Sequence, residues 1–219
     1  MRVNKYVASA TGMSRRAADE AISWGRVTIN GTACDPGYSV QDGDEVALDG
    51  KSIAPADTTS ILLNKPTGYV VSRDGQGSRT IYDLLPSKLH QLKPVGRLDK
   101  DSTGLLLLTN DGNLANDLTH PSKQKTKIYH ISLDIALKPL HRQMISDHGI
   151  QLDDGPSKLQ LERLHEGDDT RWIATMNEGR NRQIRRTFWS LGYTVTELHR
   201  TQFGPYMIGQ LKSGEYQEL

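Results

Sequence analysis

The 219-residue chain holds one cysteine, Cys34, so no internal disulfide can form and a reducing compartment is the expected setting. Cys34 reads as a small core hydrophobe, not as a nucleophile. No apolar run approaches the length of a membrane span, and Met1-Arg2-Val3-Asn4-Lys5 lacks a secretory hydrophobic core, so a cytoplasmic location is expected. The seven histidines lack metal-ligand spacing, and neither CxxC nor HExxH occurs, so no metal is expected. Gly75-Gln76-Gly77 is not followed by Gly-Lys-Ser/Thr, which leaves a turn instead of a phosphate loop. Internal repeats and low-complexity tracts are also missing. Net charge is nearly absent at +1, so composition as a whole gives no sign of a polyanionic partner.

What the total hides, the distribution shows. Residues 1–30 carry five basic residues, Arg2, Lys5, Arg15, Arg16 and Arg26, against Asp19 and Glu20, a balance of +3. Residues 31–50 carry five acids and no Lys or Arg, and residues 122–142 balance to +4. A polarised protein can present basic surfaces to phosphates while its sum stays near zero. The 36% hydrophobic and 24% charged content is that of a globular chain, long enough for a small domain joined to a medium one.

Val3, Val7 and Ala10 recur at helical spacing up to Gly12, and Ser14 is a good N-cap for a second helix with Ala17, Ala18, Ala21 and Ile22 inward. Gly25 stops it. Val27-Thr28-Ile29 meets Asn30-Gly31, a strong hairpin signal, and Thr32-Ala33-Cys34 returns. Arg15-Arg16 at the second helix's start suits phosphate, because side-chain charge and free backbone N–H groups act together there. Solvated charge on a small helical domain is the plainer alternative. Residues 55–60 read as a linker by their small, polar, Pro-broken composition, dividing residues 1–54 from residues 61–219. In the larger part, strands are predicted over 61–64, 127–133, 159–164, 172–176 and 195–200, and helices over 114–119, 140–147 and 183–191. Strands outnumber helices without regular alternation, which argues an α+β fold.

The most informative stretch is Val95 to Gly112, VGRLDKDSTGLLLLTNDG. Leu105 to Leu108 read as a buried strand, preceded by a polar loop and closed by the turn signal Asn110-Asp111-Gly112. Asp99, between Arg97 and Lys100, reads as a carboxylate kept ionised by neighbouring cations. From spacing alone, a mixed-charge surface loop feeding a core strand is the plainer reading. Two further blocks follow in order, Lys127-Ile128-Tyr129 and Glu178-Gly179-Arg180-Asn181-Arg182-Gln183-Ile184-Arg185-Arg186. Together they resemble the ordered signature of the RsuA-like family of pseudouridine synthases, with Gly96-Arg97-Leu98-Asp99 and Gly104 to Gly112 matching without a gap. The third block departs at Thr187, where that family usually has Met. The first fifty residues, with their two short helices and small strands, resemble the S4-like RNA-binding module.

The resemblance implies an S4-like domain followed by a mixed, mainly antiparallel catalytic domain that isomerises a uridine of ribosomal RNA. No group is oxidised or donated in that reaction, so no cofactor is implied. The family's essential Asp falls on Asp99, its basic partner on Arg185, and its base-stacking Tyr on Tyr129. Arg97 would fill the gap left by the extruded uridine. Lys5, Arg15 and Arg16, with Arg182 and Arg186, would contact RNA, although an ordinary basic helix face also explains the last two. The implied partner is ribosomal RNA or a subunit assembly intermediate, met by a monomer. Attack by Asp99 on the sugar and a proton-removal route to a glycal both stay open. So does a different class of protein, an RNA-binding assembly factor that only clamps its RNA, although phosphate binding has no use for a carboxylate. Asp99 and Asp101 as a glycoside-hydrolysing pair fare worse, because surrounding cations favour two ionised groups where one must be protonated.

Overall fold

The computed structural model describes residues 1–219, the side chain of Pro121 excepted. It divides into two compact units, Met1–Thr59 and Ser60–Leu219. In the first, α1 (Val3–Thr11) ends at Gly12 in the left-handed conformation, and α2 (Arg15–Ser23) starts where the Ser14 side chain accepts the Ala17 N–H. Strands β1 (Val27–Ile29), β2 (Thr32–Ala33), β3 (Val46–Leu48) and β4 (Lys51–Ser52) form a sheet in the order β2-β1-β3-β4. Asn30 and Gly31 both take positive φ, 52° and 81°, as a tight hairpin turn with the strand twist requires. Val3, Val7, Ala18, Ala21 and Ile22 bury their side chains with Val27, Ile29 and Val46. Ala10 and Ala17 stay half-buried, so each helix contributes a narrower stripe than its spacing suggests. Cys34 is half-buried at the edge of this core. Residues 53–59 have no regular structure.

The second unit is built on a nine-stranded sheet. Its strands are β5 (Ser60–Lys65), β6 (Lys93–Pro94), β7 (Thr103–Thr109), β8 (Lys127–Leu133), β11 (Gln160–Arg163), β12 (Arg171–Met176), β13 (Val195–Phe203), β14 (Tyr206–Met207) and β15 (Tyr216–Glu218). A separate hairpin pairs β9 (Ile150–Leu152) with β10 (Gly155–Ser157). The main order is β11-β12-β8-β13-β7-β5-β15, with β14 on β13 and β6 on β7. Only β7 and β13 run parallel, so the sheet is mainly antiparallel and the fold is α+β, as the sequence leads one to expect. Helices α3 (Gly112–Thr119), α4 (Pro139–Gln143) and α5 (Gln183–Trp189) are short. The helix expected over 140–147 is regular only to Gln143 and closes as a π-turn at Met144–His148. Asn110-Asp111-Gly112 is a helix start, not a simple turn, because the Asp111 carboxylate caps the Asn113 N–H of α3.

The four leucines of β7 are wholly buried because both faces of this central strand are covered. Leu106 and Leu108 pack with Tyr129, Ile131 and Leu133, while Leu105 and Leu107 face Leu118 and Phe203. Strand β7 thereby becomes a rigid floor, and the loop feeding into it, residues 95–102, inherits that rigidity.

Candidate active site

Asp99 stands on that loop with its side chain 33% exposed. The loop is fastened from beneath through three successive carbonyls. Lys100 O accepts the Gly68 N–H at 2.8 Å, Asp101 O accepts Arg185 Nη2 at 3.2 Å, and Ser102 O accepts Lys65 Nζ at 2.7 Å. Lys65 is the last residue of β5 and fully buried, and its ammonium also donates to Pro66 O at 3.0 Å. Burial pushes this lysine down to about 8, opposed by the nearby charges of Asp101 and Asp99. The strand expected over 61–64 thus extends to Lys65. Its charge at the end of an otherwise apolar run was the signal that it anchors something buried.

The cation that reaches Asp99 is Arg182, with Nη1 3.5 Å from the carboxylate, and it clasps Asp101 with two bonds of 3.1 Å. This corrects the expected pairing of Asp99 with Arg185. Arg185 sits on α5, where its guanidinium donates to Val195 O at 2.5 Å and lies 3.4 Å from the Asp101 carboxylate. The physical reason is backbone geometry. Arg182 takes a left-handed conformation, φ 45°, just before the first turn of α5, and its guanidinium meets both carboxylates of the loop whose Asp101 carbonyl Arg185 holds. Arg97 and Lys100 do not pair with Asp99 either; Lys100 Nζ bonds Ser78 Oγ at 3.1 Å. Arg97 is exposed and makes no hydrogen bond or ion pair among the described residues. Desolvation would raise the Asp101 carboxyl, but the Arg182 hydrogen bonds and the Arg185 and Arg182 charges outweigh it and hold it below its usual range. An ionised Asp101 is the opposite of what a hydrolytic acid needs.

Arg186 was expected to contact RNA, yet it is bound within the fold. Its guanidinium joins Asp153, and Asp154 at 2.6 Å, at the tip of the β9–β10 hairpin. Arg180 reaches the same tip, bonding Asp154 at 2.6 Å, Gly155 O at 2.9 Å and Pro156 O at 2.8 Å. The two carboxylates thus latch the segment that presents Arg182. Neither Asp153 nor Asp154 carried a sequence signal of this role. Thr187, where Met was usual, is fully buried with its hydroxyl on Ser157 Oγ at 2.7 Å and on Gln183 O at 2.9 Å. The polar substitution is satisfied locally.

Arg97, Asp99, Tyr129, Arg182, Arg200 and Phe203 all line one cleft of about 1090 Å³. Tyr129 is buried on β8, directly across the ladder from Arg200 on β13 and on the same strand face as Lys127. Lys125, Lys127, Lys158 and Arg180 add further positive charge to the walls, and besides Asp99 only Glu178 brings a carboxylate. Burial lowers Lys127, and the Arg200 charge adds to the effect. Two carboxylates among seven Lys and Arg side chains leave the cleft basic, which suits a polyanion brought to the Asp99 oxygen. In the first unit, Arg15 and Arg16 are exposed at the start of α2, and Lys5 is half-buried on α1. Among the described residues no group of His, Cys, Asp and Glu could hold a metal ion.

Residues 59–190 match the family profile of RNA pseudouridylate synthases, and residues 1–46 match that of the S4 domain. An uncharacterized RNA pseudouridine synthase of Aquifex aeolicus is 36% identical over the whole chain and 90% of its own length. The ribosomal large subunit pseudouridine synthase B of Bacillus subtilis is likewise 36% identical, over the whole chain and 91% of its own length. A solved pseudouridylate synthase superposes with a TM-score of 0.71 at 31% identity, covering all of this chain and 96% of that one. Ordered motifs, a fastened carboxylate in a basic cleft and end-to-end similarity agree, and the chain belongs to the RsuA-like family of pseudouridine synthases, with an S4 domain at its N-terminus.

Proposed function

We propose that this enzyme converts a specific uridine of ribosomal RNA into pseudouridine, with Asp99 as the catalytic carboxylate. The observation that carries the reading is the placement of Asp99: partly open, ion-paired to Arg182, and fixed by three carbonyl anchors inside a cleft that Tyr129 and Arg97 also line. The relatives named for the large ribosomal subunit support ribosomal RNA as the substrate. Tyr129 offers an aromatic face for the target base, and Arg97, without a partner among the described residues, can occupy the gap when that base leaves its stack. Arg182 directly, and Arg185 through Asp101 and Val195, hold the carboxylate in register; Arg185 acts as a positioning residue. Residues 1–54 supply a second RNA contact through Arg15, Arg16 and Lys5, joined by a linker over 55–60. The protein works as a monomer in the cytoplasm, on ribosomal RNA or a subunit assembly intermediate. No described helix is long and apolar enough to cross a membrane.

The test is direct. Purified protein is incubated with unmodified small- and large-subunit ribosomal RNA, and pseudouridine is mapped along both. One new site made by the wild type supports the reading. Tight binding without any new pseudouridine supports an RNA clamp instead.

Two substitutions probe the supporting parts. Arg15→Ala with Arg16→Ala should weaken RNA binding and flatten the plot of log affinity against log salt by about 1.4, roughly 0.7 per lost contact on single-stranded RNA. An unchanged slope would remove those arginines from the interface. Asp154→Asn should do the reverse for binding, because Arg180 and Arg186 lose a shared carboxylate and become available to phosphate. Affinity holds or rises and the salt slope steepens, while turnover falls about tenfold as the Arg182 segment loosens. A parallel drop in affinity and turnover would show that the latch only maintains stability.

A further inference from the structure

Arg200 is buried, 2% exposed, on the inward register of β13. Its Nε donates to Leu105 O at 2.8 Å, and its guanidinium carbon stands 5.0 Å from the centre of the Phe203 ring. Nη2 has no hydrogen-bond partner, and no carboxylate pairs with this guanidinium among the described residues. Arg180 Nε and Arg185 Nε are also buried without a hydrogen-bond partner, but those guanidiniums have carboxylate partners, and Arg97, which has none among the described residues, is exposed. Lys65 is buried too, but its ammonium is taken up by Pro66 and Ser102 carbonyls, and Arg180, Arg182 and Arg185 all have carboxylate partners. Lys127, in the same cleft, donates to Lys125 O and Glu178 O. A guanidinium cannot shed its proton, and a buried donor left open is rare and costly. Arg200 lines the cleft opposite Tyr129 in the ladder, where the base of the bound nucleotide is placed in the reading above.

Resting on that reading, we propose that Arg200 is a further catalytic residue: its open N–H donates to a carbonyl oxygen of the bound uracil and stabilises the charge that develops there. When the bond between the sugar C1′ and N1 breaks, its electron pair goes to the base. The sugar either bonds to the Asp99 carboxylate or loses a proton to become a glycal. The uracil anion spreads its charge over N1 and the two carbonyl oxygens, turns, and forms the new bond from C5 to C1′, as the bond from Asp99 to C1′ breaks and returns its electron pair to the carboxylate, or as C2′ of the glycal takes its proton back. The C5 proton then leaves, N1 gains one, and no oxidant or co-reactant enters. On either route the base is more negative in the transition state than in the ground state. A fixed, buried cation beside it therefore lowers the barrier more than it tightens binding. A phosphate contact would do the opposite, adding affinity and salt dependence.

The experiment uses full-length protein and ribosomal RNA transcripts tritiated at C5 of uridine, and reads tritium release in single turnover. For Arg200→Gln the expected rate is about 10²- to 10³-fold below wild type, with RNA affinity and its salt slope unchanged. Transcripts made with 2-thiouridine or 4-thiouridine, whose sulfur accepts hydrogen bonds poorly, add a readout that a structural role would not move. One of the two should slow the wild type and leave the variant no slower than it already is. Should Arg200→Gln not fold, replacement of Arg200 by citrulline decides, since it keeps the Nε bond to Leu105 and the shape while removing the charge. A wild-type rate in the neutral variant, a flattened salt slope, or equal thio effects in both proteins at both positions overturns the proposal. Absence of tritium release from the wild type itself, by contrast, would remove the proposed reaction and not this residue alone.

Discussion

Asp99→Asn is expected to bind ribosomal RNA at least as tightly as the wild type and to form pseudouridine about 10⁴-fold more slowly or not at all. The substitution keeps the side chain's shape and removes its charge. Arg182 retains its two bonds to Asp101, and the anchors from Lys65, Gly68 and Arg185 attach to backbone carbonyls that the change leaves in place. The loop therefore holds its conformation. Removing one carboxylate from a cleft walled by Lys and Arg reduces repulsion of phosphate, so affinity moves upward if it moves. Filter binding and pseudouridine mapping on the same preparation check both halves. Turnover within tenfold of wild type would sink the assignment of the reactive oxygen to this residue. Asp101→Asn is the comparison: its carboxylate is clasped by Arg182 and Arg185 and held below its usual range, so its loss should slow turnover through misplacement without abolishing it.

The second large effect is on stability. At Gly104, φ is +102°, and a Cβ there would stand 2.3 Å from Arg200 O and 2.6 Å from Arg200 N. The cause is the parallel pairing of β7 with β13, which sets Gly104 against Arg200. Both contacts are with backbone and cannot be relieved by rotating a side chain. Gly104→Ala should cost about 2–5 kcal/mol from left-handed strain and overpacking together. That corresponds to a melting midpoint about 10 °C lower for a unit of this size. Thermal and urea unfolding followed by circular dichroism measure it. Activity at temperatures well below the transition should also fall, because Gly104 joins the rigid strand to the loop that ends at Ser102. An unchanged midpoint would mean that the two backbones are farther apart than described.

Much of the fold was readable from local pattern. The leucine run Leu105–Leu108 announced a strand covered on both faces, Asn30-Gly31 its turn, and Ser14 its helix cap, because each signal acts within a few residues. The candidate site was readable as a set of ordered motifs, and Arg97, Asp99, Tyr129 and Arg182 do line one cleft. Which guanidinium meets which carboxylate was not readable. Arg182, Arg185 and Arg186 are nearly consecutive, yet one clasps Asp101 and reaches Asp99, one braces a strand carbonyl, and one is latched to Asp153 and Asp154. Likewise Asp154 and Arg200 lie far along the chain from the residues they serve.

The amino-acid order alone determined most of the longer strands and helices, the presence of two units and the family, since those depend on periodicity, turn chemistry and motif order. The tertiary structure decided the electrostatic partnerships: Lys65 under the loop, Arg182 on Asp99, Arg186 tied to Asp153 and Asp154, and a guanidinium at Arg200 with no carboxylate partner among the described residues. Charge acts over a few ångströms of space whatever the distance along the chain, so only the packed sheet could bring those groups into range.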